Sequence, residues 1–185
     1  MPIRIDVTEG ISRGEADERA VLARTLETGR CYVKDRGYAK FQLFNEIVAV
    51  GSSYVCRLRD NSRYEIEEDR PLAAEDVESG ILLDAIVCLG EYKGAKDRPD
   101  HPLRLVVVKT TPHEKRGGPA SNGLLLIATN LLDLPAWIIA LIYRYRWTIE
   151  VFFRFSSTYW AAGICRVAIG RASRFRPVAP SSPAC

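Results

Sequence analysis

Ile3-Arg4-Ile5-Asp6-Val7 alternates apolar and polar residues, the period of a half-buried strand, and Thr8-Glu9-Gly10 turns out of it. Over residues 15–26 the period lengthens. Ala20, Val21, Leu22 and Leu26 fall at helical spacing with charges on the other face, and Gly29 supplies a stop. Residues 30–34 predict a short strand ending at Asp35, with Gly37 allowing a sharp exit. Phe41, Phe44, Ile47 and Val48 restore helical spacing across residues 38–50, with Gly51 behind them. Residues 54–58 predict another strand. A strand–helix–strand–helix–strand order implies parallel pairing, with helices on the faces of an α/β sheet.

Between residues 63 and 119 the texture changes. Tyr64-Glu65-Ile66, residues 85–89 and residues 103–109 read as strands, separated by Pro-, Gly- and charge-rich loops without a clear helix. The pattern predicts a β-rich insertion over residues 63–120 between core segments 1–62 and 121–155. Residues 124–129 resume a buried-strand pattern. Asp133 and Pro135 then occupy the cap and first-turn positions of a helix continuing through Trp147 and Glu150 to about Phe155.

Composition narrows the class. A chain of 185 residues suits one domain of ordinary size, and 47% apolar with 26% charged residues argues against a membrane bundle or a disordered polypeptide. Asn130, Asp133 and Pro135 interrupt the one stretch apolar enough to suggest a membrane span, residues 124–143. Arg4, Asp6 and Glu9 break any leader-like apolar run, so a cytoplasmic, non-membrane protein is expected. Five scattered cysteines without a CxxC pair, and only two histidines, support neither a zinc site nor a disulfide framework. The net charge of +3 is unevenly spread. Residues 156–185 carry Arg166, Arg171, Arg174 and Arg176 with no acid, leaving 22 basic and 23 acidic residues in 1–155.

Two acidic positions could carry chemistry. Asp35 falls at the carboxyl end of a strand, where open α/β sheets build their sites, beside Arg36 and Gly37. On residue type alone it reads first as a turn or capping residue, since Asp before a Gly-containing turn is common. Tyr143, Arg146 and Glu150 are three and four residues apart and so share one helix face. They form either an ordinary intrahelical ion pair with a neighbouring tyrosine, or a metal-binding Glu with an Arg and a Tyr reaching toward phosphates. Spacing does not choose between them.

Cys31-Tyr32-Val33-Lys34-Asp35-Arg36-Gly37-Tyr38, followed by Lys40-Phe41 and Leu43-Phe44-Asn45, resembles the second-aspartate block of the IS4-type DDE transposases. Ser53 to Asp60 resembles the strand that follows that block. Tyr143-Arg144-Tyr145-Arg146-Trp147-Thr148-Ile149-Glu150 resembles the third block, in which Tyr, Arg, Glu and Lys recur at fixed spacing. The resemblance implies a ribonuclease H-like core with a β-rich insertion before the last catalytic helix. It implies Asp35 and Glu150 as the second and third metal-binding acids, and Tyr143 and Arg146 as supporting, DNA-facing residues. Mg2+ or Mn2+ is the implied cofactor. DNA, as element ends and as target, is the implied partner, with homo-oligomers as a further expected assembly. The implied reactions are nicking at an element end and strand transfer.

The sequence departs from the family pattern twice. The first catalytic Asp belongs on a strand upstream of the one near Ile3, so an N-terminally truncated copy, inactive alone, is expected; Asp6 falls on the later strand. The family Lys would stand at position 157, where this chain has Ser157. Synonymous codons for residues 156–165, read one frame over, restore a Lys at that spacing. Residues 156–185 are therefore expected to be out-of-frame translation. The competing expectation is a basic, DNA-contacting arm on a non-catalytic or relic polypeptide. His101 and His113 are expected to be solvated, and the aromatics of residues 143–155 to be core.

Overall fold

The computed structural model describes residues 18–89, 98–111 and 123–161. The chain divides into two compact units, residues 1–147 and residues 148–185. Among the described residues there are six strands: β1 (Cys31–Lys34), β2 (Ser53–Arg57), β3 (Tyr64–Asp69), β4 (Ile81–Leu89), β5 (Leu103–Lys109) and β6 (Leu124–Thr129). The helices are α1 (Glu18–Arg24), α2 (Phe41–Ala49), α3 (Ala74–Glu78) and α4 (Ala136–Ala161), with a 3-10 turn at Arg36–Tyr38. The strand expected at residues 3–7 lies outside the described residues.

The strands form one mixed sheet in the order β1-β2-β6-β5-β4-β3. β1 and β2 pair in parallel, Val33 opposite Val55, and every other pairing is antiparallel. The β1–α2–β2 crossover follows from the sequence. Phe41, Leu43, Phe44, Ile47 and Val48 give α2 an apolar stripe that must be buried against the sheet. Gly51 then takes φ +72°, the left-handed conformation that ends a helix without a Cβ clash. Leu43, Phe44 and Ile47 pack with Tyr54, Cys56, Leu105 and Ala128 on one face of the sheet. On the other face Val55, Val106 and Ile127 meet Ala136, Ile139 and Tyr143 of α4. The fold is thus α/β, with a helix layer on each side.

β3, β4 and β5, all drawn from residues 63–120, extend this same sheet, because β5 pairs with both β4 and β6. β5 is buried on both faces, which explains its nearly unbroken apolar run. That segment also contains α3, where no helix was expected. It is five residues long, too short for apolar periodicity, and is held by a side chain: the Asp76 carboxylate accepts the Ala73 N–H at 3.0 Å. α4 begins at Ala136, and the carboxylate at its start is again Asp76, which accepts the Trp137 N–H at 2.9 Å, while Asp133 is exposed. The helix runs to Ala161, six residues past the expected end. Residues 156–161 of the expected out-of-frame tail therefore continue the helix, and residues 162–185 lie outside the described ones. No described helix is long and apolar enough to cross a membrane.

Candidate active site

Strand β1 ends at Lys34, and the chain turns immediately into the Arg36–Tyr38 3-10 turn, so Asp35 sits at the carboxyl end of the strand with extended backbone. Its backbone carbonyl accepts the Tyr38 N–H at 2.9 Å, closing the turn. Side chains alternate along a strand, so Asp35 shares the α4 side of the sheet with Val33, which packs there beside Val55 and Tyr143. Tyr143, 3% exposed, reaches down from α4, and its hydroxyl donates to Asp35 Oδ1 at 3.2 Å. Two residues 108 apart in sequence therefore meet. Arg146 lies one turn further along α4, its guanidinium carbon 5.5 Å from the Tyr143 ring centroid and 5.1 Å from that of Trp147.

The electrostatics favour a charged carboxylate at this point. Burial raises the Asp35 carboxyl, but the Arg36 backbone N–H, the Arg146 charge, the Tyr143 hydroxyl and the Arg57 charge together hold it below its ordinary 3.8. Tyr143 moves the other way. Burial and the neighbouring Asp35 charge push its phenol up to about 12, so it stays a proton donor at any physiological pH. An ionised, half-buried carboxylate is a hard oxygen donor of the kind a divalent cation accepts, and the Arg57 and Arg146 charges beside it work against such a cation. Among the described residues no group of three or more His, Cys, Asp or Glu stands together. Glu150 lies on α4 four residues beyond Arg146, and its side chain lies outside the described ones.

The structure therefore brings together Asp35, Tyr143 and Arg146 of the expected site. It adds Arg57. Val55 packs on the α4 side, and alternation puts Arg57, the last residue of β2, on that same side beside Asp35. One Arg57 terminal nitrogen donates to Asp60 at 3.1 Å, and its Nε is buried without a hydrogen-bond partner among the described residues. The parallel register that makes Arg57 a neighbour of Asp35 is the signal that would have found it.

Two other expectations change. His101 is packed rather than solvated: its Nε2 lies 2.9 Å from the Tyr54 hydroxyl, which is fully buried and needs a partner. Asp100 holds the other ring nitrogen at 3.1 Å. Tyr145 and Trp147 are exposed rather than core, because the stretch of α4 that carries them presents only Tyr143 and its neighbours to the sheet. His113 lies outside the described residues.

The family model described as "Transposase DDE domain" matches residues 1–172, most of the chain. The chain belongs to that family. Among curated relatives, the "Putative transposase y4zB" of Sinorhizobium fredii is 27% identical over 137 residues, covering 73% of this chain and 36% of that protein. The "Probable transposase for insertion sequence element IS5377" of Geobacillus stearothermophilus is 27% identical over 127 residues, covering 69% and 30%. The chain thus spans about a third of the length of these curated relatives. No solved structure matches it.

Proposed function

We propose that this chain carries part of an IS4-type transposase site that cuts and joins DNA at insertion-sequence ends, with Asp35 and Glu150 as the metal-holding acids. The observation that supports it most is the 3.2 Å contact between Tyr143 and Asp35, which joins the two sequence blocks at one point. In this reading Tyr143 orients Asp35 through Oδ1 and leaves Oδ2 for ligation. Glu150, on the helix that carries Tyr143 and Arg146, supplies the second carboxylate. Bound Mg2+ or Mn2+ would activate the attacking water or 3′-hydroxyl and stabilise the leaving oxygen. Arg146 and Arg57 offer guanidinium charge to the phosphodiester, whose oxygens they can grip in pairs. DNA is the partner, and a homo-oligomer the assembly on it.

Ser157, standing where the family pattern has Lys, favours a second reading in which this chain binds DNA without cutting it. The two are separated by incubating the purified chain with end-labelled DNA of its own element under Mg2+ or Mn2+. With two acids identified and the supporting Lys replaced, the expected outcome is salt-sensitive binding and no detectable nicking or strand transfer. Metal-dependent cleavage abolished by Asp35→Ala and by Glu150→Ala would show a complete site, with Asp6 the first residue to test as its third acid.

A further inference from the structure

The site depends on where α4 starts. An α-helix is stiff and rises 1.5 Å per residue, so whatever fixes its first turn fixes both the axial position and the phase of side chains further along. Two buried polar groups hold that first turn, and neither belongs to the proposed chemistry. Asp76, 5% exposed, accepts the Trp137 N–H through Oδ1 and the Ala73 N–H through Oδ2, so one carboxylate ties the starts of α3 and α4 together. Arg104, 1% exposed, is gripped by both oxygens of Asp84 at 2.7 Å and donates to the carbonyls of Leu131, Leu132 and Leu134 in the segment leading into α4. Arg104 thus fixes the approach to the helix, and Asp76 fixes the helix itself.

We propose that Asp76 is a positioning residue for the candidate active site: by holding the Trp137 N–H it sets the register of α4 that lets Tyr143 reach Asp35. Its importance for chemistry rests on the functional reading above, whereas the positioning itself can be tested without metal or DNA. The readout is the coupling between Asp35 and Tyr143 in a double-mutant cycle of Asp35→Ala and Tyr143→Phe, followed by urea unfolding of the full chain. In the native background the pair should couple by roughly 5-fold in the unfolding equilibrium constant. In an Asp76→Ala background the coupling should fall to about 1-fold. Asp76→Asn keeps an acceptor at Oδ1 and should restore it.

Asp76→Ser is a milder background should Asp76→Ala not fold. Its hydroxyl is one bond shorter than the carboxylate and does not reach the Trp137 N–H, so it too should abolish the coupling. Leu126→Ala, a core change on the opposite face of the sheet, controls for lost stability and should leave the coupling intact. Coupling that persists in the folded Asp76→Ala or Asp76→Ser chain, or that Leu126→Ala removes equally, would overturn the proposal. Failure here would leave the metal-site reading standing, and a chain that binds no metal would leave the role of Asp76 standing.

Discussion

At the residue scale, Asp35 illustrates how far a sequence position can be read. Its place at a strand end was legible, and so was the shared face of Tyr143 and Arg146. Their meeting was not, because 108 residues of chain separate the partners and only the tertiary fold closes that gap. Arg57 was missed for a related reason: an arginine at the end of a strand looks like an ordinary solvated charge until the neighbouring strand is known. The charges around Asp35 make a prediction. The Asp35 carboxyl titrates lower in the folded chain than unfolded, so its stabilising contribution is fully present above the ordinary 3.8 and is lost as pH falls through the lower folded value. Asp35→Asn should therefore lower the urea midpoint at pH 7, and its deficit should shrink steadily below pH 3.8. A deficit independent of pH would show that the folded environment does not favour the charged form.

At the element scale, apolar period located the described strands and the long helices, since burial of one face dictates both. It failed where polar side chains, not period, define the element. α3 exists through one carboxylate, and α4 starts where Asp76 and Arg104 hold it rather than at Asp133. Arg104 did leave a trace in sequence, as the one charge inside the apolar run of β5 ahead of its last residue. A charge buried that deeply needs full pairing. Arg104→Met, which leaves the buried Asp84 with only the longer 3.6 Å contact to Arg70, should cost about 3–5 kcal/mol in equilibrium unfolding. Adding Asp84→Leu should recover much of that loss, because replacing both partners leaves no buried charge unpaired. Strict additivity of the two losses would contradict the pairing.

At the scale of the whole molecule, charge is distributed unevenly over the first unit. The outer strand β3 presents exposed Glu65, Glu67, Glu68 and Asp69, a charged edge that discourages strand pairing with other chains. At the opposite end of the sheet, the Arg57 and Arg146 charges flank the carboxylate of Asp35. A divalent cation attracted by net acidity alone would choose β3, whereas one bound by a built site would choose Asp35 and Glu150. Titrating the full chain with Mn2+ and following paramagnetic broadening of its NMR signals decides between them. The account predicts that Asp35 and Tyr143 signals broaden first, at Mn2+ levels that leave β3 unaffected, and that Asp35→Ala or Glu150→Ala removes the effect. Broadening confined to residues 65–69, or undiminished by both substitutions, would contradict it.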